Sequence, residues 1–207
     1  EMPLPSMMLG FAGSRGSSVE QVVSSLRNGM LADHTAPAGT VFYVVNDDVR
    51  SKCRDWQYAG AQKELEALRV ASRVGTEFPD ALANVIGVFS GQAWMSPDNI
   101  GRARPGCVAD HLTSFSAVFD NPDQSKATEW LNVGATASAG TVTEPLAIWT
   151  KFPHARFFVH YAYGCTILES FFQAIRCPLQ ILLLGDPLAR PWAPRLAMDL
   201  VCVDEGA

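Results

Sequence analysis

The chain has 207 residues, 48% of them hydrophobic and 18% charged, with a net charge of -5. This composition describes a folded globular protein with one sizeable core and a sparsely charged surface. The acidic balance, with no cluster of five or more among the 16 lysines and arginines, argues against nucleic acid and anionic membranes as partners.

The apolar runs are too short to span a bilayer, so no membrane insertion is expected. Cys53, Cys107, Cys165, Cys177 and Cys202 are widely spaced without a Cys-x-x-Cys pair, and the four histidines are not tightly paired. No metal and no cofactor are implied. Five tryptophans and eleven phenylalanines leave room for an oligomeric face beside the core. We read residues 1–207 as a single α/β domain, whole or else a fragment or the mature part of a longer chain.

Residues 7–11 read as a short strand. Ser17 or Ser18 then caps a helix, with Glu20 or Gln21 three residues on and an apolar face of Val19, Val22, Val23, Leu26 and Met30. Residues 40–45 are β-branched and aromatic, a buried strand ending in Asn46-Asp47-Asp48, where the adjacent acids read as a turn or helix cap. Arg50, Lys52 and Arg54 follow as a candidate anion or oligomer contact. Residues 62–74 have helical spacing, with another short helix after Pro79. Residues 85–89 form the next buried strand, followed by a long loop over 94–106.

Asp110 is placed to cap a helix bearing Leu112 and Phe115, and Asn121-Pro122 to start another that ends near Leu131. Residues 134–145 are so rich in small side chains that backbone must pass close to backbone or to a ligand. Residues 156–161 read as a strand without strict alternation. Thr166 and Glu169 form a capping box for a helix with Leu168, Phe171 and Phe172 on its apolar face. Residues 179–184 are a buried strand ending in Gly185-Asp186-Pro187, and residues 201–203 are a candidate edge strand. Alternating strands and helices predict a three-layer α/β fold, a mostly parallel sheet with helices on both faces.

Several constellations carry chemistry. Cys165 precedes a helix start, where unpaired amides favour a thiolate, and His160 or His154 lies within reach in sequence as a base. Cys107 and His111 are a second thiol and imidazole pair, and Asp110, His111 and Ser114 supply the components of a triad. Glu144 and Asp186 each follow a sheet element and are expected to converge at one edge, where they share a proton, bind a cation or fix turns. Gly10-x-x-Gly13-x-x-Gly16 before a helix has part of the pattern of a phosphate loop.

At Asp110-His-Leu-Thr-Ser-Phe, Gly-Thr-Val-Thr-Glu-Pro145, Lys151-Phe-Pro and Leu184-Gly-Asp-Pro-Leu the chain resembles a little-characterised family of bacterial proteins, over nearly its whole length. More distantly it resembles the gingipain-type cysteine peptidases of the caspase-like fold, in which a Leu-Gly-Asp-Pro segment also ends a late strand. That resemblance implies a catalytic His after one central strand and a catalytic Cys after the next. Here those places hold Ser90-Gly91-Gln92 and Leu112-Thr113-Ser114-Phe115. The expectation is a non-catalytic caspase-like module of an exported protein, extracellular or periplasmic, that binds a protein partner or assembles as a homo-oligomer through Trp94, Trp130, Trp149 or the 94–106 loop. The alternative is a hydrolase, using Cys165 with a histidine or the Ser114 and Glu144 neighbourhood.

Overall fold

The computed structural model describes residues 6–195. The candidate strand at 201–203 and Cys202 lie outside these residues. Seven strands form one sheet: β1 (Ser6–Met8), β2 (Thr40–Val44), β3 (Ala71–Gly75), β4 (Val85–Gly91), β5 (Val108–Leu112), β6 (Ala137–Thr141) and β7 (Ile181–Gly185), in the order β1-β7-β6-β5-β4-β2-β3. Strands β2 to β6 run parallel, β7 is antiparallel to β6, and β1 is parallel to β7. Helices flank this mostly parallel sheet, the three-layer α/β architecture expected from the alternation of elements.

The face packed by α3 (Tyr58–Ala67), α5 (Phe157–Ala162) and α6 (Ile167–Ala174) is strongly aromatic. Tyr43, Phe89 and Phe158 meet with ring centroids 4.9 to 6.2 Å apart, and Phe158 occupies the space left by the missing side chain of Gly87. The register of β2 against β4 shifts between Thr40 and Val41, which turns both Ile86 and Gly87 toward this face. The other face carries α4 (Ala127–Asn132), whose Trp130 is completely buried, and α1 (Val19–Ala32) packs beside α4. A short helix, α2 (Val49–Lys52), and a 3-10 turn (Asp55–Gln57) sit where β4 ends.

Helix α1 begins as its sequence dictates, with a reciprocal capping box between Ser18 and Gln21. Its inward face differs from the expected one. Ser25, Asn28, Gly29 and Ala32 are buried, while Val19 and Met30 are 65% and 74% exposed. The cause is close approach: a β-carbon on Gly29 would strike the Asp186 carboxylate and come within 3.1 Å of Ala189, and Asn28 Nδ2 donates to the Gly134 carbonyl at 2.7 Å. Small residues and one polar anchor hold the helix.

Other local readings are also corrected. Residues 156–161, aromatic and β-branched, lie largely in α5 because they pack between α3 and α6 instead of pairing with a strand. The expected helix at Asp110 is strand β5, paired with β4 on one side and β6 on the other. The helix expected over 62–74 stops at Ala67, and 71–75 pairs with β2 as a polar edge strand. No helix forms after Pro79. The helix expected from Asn121 starts instead at Ala127, where the Glu129 carboxylate accepts from the Lys126 amide at 2.7 Å. Among the described residues, no helix is long and apolar enough to cross a membrane.

Candidate functional site

The ends of β2, β4, β5 and β6 converge on one edge of the sheet, where open α/β sheets usually place ligands. Arg54 organises it. Its guanidinium is fully buried, pairs with the Asp110 carboxylate, and donates to the carbonyls of Ser90 at 2.7 Å and Pro153 at 3.2 Å. It also lies 4.6 Å from the centroid of Phe89, so one cation ties two strand ends to the segment leading into α5. Burial pulls its pKa down, and Asp110, together with Tyr58 and Cys53, outweighs this, so the guanidinium stays charged. Of the cations expected as an anion contact, Arg54 is thus consumed internally, Arg50 pairs with Asp48, and Lys52 bridges Asp47 and Asp55. Asp48 caps α2, as read from the sequence.

Strand alternation sends Asp110 and His111 to opposite faces. His111 Nδ1 accepts from Trp130 Nε1 at 2.9 Å, so its proton sits on Nε2, which donates to the Ser125 carbonyl at 3.1 Å. Burial holds its pKa below the usual histidine range. The triad of Asp110, His111 and Ser114 is therefore not assembled: the carboxylate serves Arg54, and the imidazole has spent both nitrogens on the far face. Trp130, buried against His111, is not available for an intermolecular contact. Nor do Cys107 and His111 straddle a helix start; Cys107 immediately precedes β5 and His111 lies within it, and burial pushes the Cys107 thiol up to about 12.

Ser114 and Glu144 do share a place. Both line a cleft of about 400 Å³ with Val49, Arg50, Leu112 and Leu146. Ser114 Oγ makes no hydrogen bond among the described residues, while the Ser114 and Phe115 amides both donate to Gln124 Oε1, at 2.9 and 3.0 Å. The same oxygen accepts from the Thr113 hydroxyl at 2.6 Å. Thr141 Oγ1 lies 2.8 Å from the carbonyls of both Thr113 and Ser114, locking the turn after β5 to β6. Glu144 is exposed, and its carboxylate accepts from the Leu146 amide at 2.8 Å. Leu146 has a φ of 58°, a costly conformation for a branched side chain, and is 62% exposed. Val49, on α2, and Val142 and Ile148, on the segment that carries Glu144 and Leu146, are also exposed beside the cleft.

Asp186 is not in this site. Because β7 is antiparallel to β6, Gly185 pairs with Ala137 at the start of β6, and the Asp186 amide donates to the Thr136 carbonyl at 2.9 Å. Glu144 and Asp186 stand at opposite edges, a separation invisible in a sequence where every strand ends in a similar turn. The small residues at 134–145 answer a backbone need: a β-carbon on Gly140 would lie 2.6 Å from Ser116 Oγ and 2.8 Å from the Ala117 amide nitrogen.

Cys165 and His160 form a separate group on α5 and the turn before α6. Cys165 Sγ accepts from the Gln173 amide at 3.4 Å, and its backbone amide donates to the His160 carbonyl at 3.3 Å. No imidazole hydrogen-bonds this sulfur among the described residues. The glycine turn before α1 is filled by itself, with Gly16 N donating to Gly13 O and Ser17 N to Phe11 O, so those amides are not offered to a phosphate. Among the described residues no group of three or more His, Cys, Asp or Glu side chains is arranged to hold a metal ion, and the four described cysteines are free.

Sequence reasoning missed Arg54 as a buried organiser, the Gln124 clamp and Leu146. The Pro145-Leu146 step beside Glu144 was the available signal for the last. No family model matches the chain, and no curated protein matches it significantly.

Proposed function

We propose that the chain is a caspase-like module, related to the gingipain-type peptidases and to the bacterial family it resembles, that binds a protein partner at the Ser114 cleft and does not cleave it. The order β3-β2-β4-β5-β6-β7-β1, with β7 and β1 opposite to the five parallel strands, is in keeping with the caspase-like assignment. The turns after β4 and β5, where the resemblance implies a catalytic His and Cys, carry Gln92 and Ser114.

The observation that carries the binding reading is the Gln124 clamp. Acyl transfer at Ser114 would need backbone donors for an oxyanion and a base for the hydroxyl. The Ser114 and Phe115 amides are already engaged by Gln124 Oε1, and His111 is committed to Trp130 and Ser125. Around the cleft, Val49, Leu146 and the neighbouring Ile148 form an apolar rim interrupted by Arg50 and Glu144, the composition of a protein-binding patch.

A selection from a displayed random-peptide library, followed by titration, tests this. Peptides are expected to bind wild type and the Ser114→Ala variant equally and to lose about tenfold in affinity against Leu146→Asp or Val49→Asp, the scale of one buried apolar contact. Hydrolysis of a peptide or ester pool that disappears in Ser114→Ala would overturn the reading in favour of a serine-based site. Loss in Cys165→Ala instead would assign hydrolysis to the α5 and α6 group.

A further inference from the structure

A second cavity, of about 220 Å³, opens between the 3-10 turn, the 149–156 segment and α6, with Trp56, Trp149, His154, Arg156, His160 and Arg176 on its walls. Its aromatic part is a corner. Trp56 and Trp149 meet at 5.5 Å with planes 88° apart, and the His154 ring stands 5.8 and 6.2 Å from them at similarly steep angles. These are edge-to-face contacts, in which the edge-on ring keeps its own faces free of its partner, and Trp56 stays 60% exposed.

The polar part consists of donors. His154 Nδ1 accepts from the Arg156 amide at 3.1 Å, which places the ring proton on Nε2, and that N–H has no partner among the described residues. Arg156 has one arm on Glu64 at 2.9 Å. Arg176 pairs with no carboxylate among the described residues and lies over the Trp149 ring at 5.4 Å from its centroid. Burial first, and the neighbouring Arg156 next, hold both His154 and His160 below the usual histidine range, so at neutral pH the imidazoles are uncharged donors. Two guanidiniums against one carboxylate leave a positive balance. A cationic ligand is disfavoured, because Arg176 already occupies one face of Trp149.

We propose that this cavity binds a small aromatic carboxylate, its ring against Trp56 and Trp149 and its carboxylate between Arg156 and Arg176, with His154 Nε2–H as a further donor. The size agrees: the volume of about 220 Å³ lies below the roughly 300 Å³ at which sites for drug-sized ligands begin, enough for one ring and one anionic group. The inference does not depend on the Ser114 cleft, with which this cavity shares no lining residue.

Benzoate is the probe, titrated into the full chain while the indole N–H signals are followed by NMR, with Trp56 and Trp149 assigned through their Phe variants. The expected result is a saturable shift of both signals with a Kd of about 1 mM and no shift of Trp94. Benzamide, which keeps the ring and lacks the charge, and inorganic phosphate, which keeps the charge and lacks the ring, are each expected to bind about tenfold more weakly. Arg176→Gln and Arg156→Gln alter exposed side chains, so the folded spectrum persists, and each is expected to weaken benzoate about tenfold. The proposal is overturned if neither indole shifts saturably up to about 50 mM benzoate, if benzamide or phosphate binds as well as benzoate, or if Arg176→Gln binds it unchanged.

Discussion

Trp130 Nε1 and His111 Nδ1 are hydrogen-bonded at 2.9 Å between two side chains with essentially no solvent exposure, and the bond decides where the imidazole proton resides. A protonated His111 would present a second N–H to a group that can only donate, so the folded chain keeps the ring neutral.

This fixes a pH dependence. The His111 pKa is lowered in the folded state, chiefly by burial, whereas the unfolded chain takes up the proton near 6.5. Below that value the unfolded state binds more protons, so stability is fully present above it and is lost as the pH falls toward the depressed folded value. His154 and His160 are lowered in the same direction and add to the effect. Denaturant midpoints are expected to drop from pH 7 to 5.5, and His111→Gln is expected to remove part of that slope, at most about 1.4 kcal/mol per pH unit for one site. An unchanged slope in the variant would show that His111 is protonated or solvated in the folded state.

The Arg54 and Asp110 pair is expected to behave as one unit. Either Arg54→Met or Asp110→Leu alone strands a buried charge and should cost about 3–5 kcal/mol. The double replacement should recover much of that loss, and chemical denaturation of the four species gives the coupling directly. Additive losses would mean that the two side chains act separately.

Much of the architecture was legible because its signals are local. The apolar runs of β2, β4 and β7, the Ser18 box of α1 and the Thr166 box of α6 are each written within a few residues. What was illegible depends on distant partners. Asp110 and His111 look like helix-cap and catalytic candidates until β4, β6, Arg54 and Trp130 surround them. The same holds for α5, whose Phe-Phe-Val run favours a strand in isolation, and for the reversal of β7, which no residue within that strand announces. For the site, Ser114 and Glu144 line one cleft while Asp186, expected at the same edge, lies at the other, and the Gln124 clamp needed the turn between β5 and α4 to be seen in three dimensions.

Close backbone approach makes two glycines irreplaceable. Gly185 has a φ of 104°, and a β-carbon there would sit 2.7 Å from the Ala137 α-carbon; Gly140 faces the backbone of Ala117. Gly185→Ala is expected to destabilise by about 3 kcal/mol or more, combining a disallowed dihedral with a clash, and Gly140→Ala by about 1–3 kcal/mol. By contrast Gly60→Ala, in α3 with nothing near its β-carbon, should stabilise by up to about 1 kcal/mol. Thermal melts of the three variants provide the ranking.

Thiol reactivity should divide the cysteines. With its pKa pushed up to about 12 and no exposure, Cys107 is expected to resist iodoacetamide at pH 8 until the chain unfolds, whereas half-buried Cys165 and Cys177 react first. Residue-resolved mass spectrometry of a time course checks the order. Early labelling of Cys107 would indicate that the core around β5 opens readily.

The reversal of β7 also decides where the described chain enters and leaves the sheet. Strand β1 starts at the same end of the sheet as the Ser114 cleft, whereas the segment after β7 crosses to the other end, with Ala36 N donating to Pro191 O and His34 Nδ1 bonded to Ala193 O. The described chain therefore enters the sheet at the end that carries the cleft and leaves it at the opposite end, so a ligand on the cleft meets the entry strand and not the closing segment.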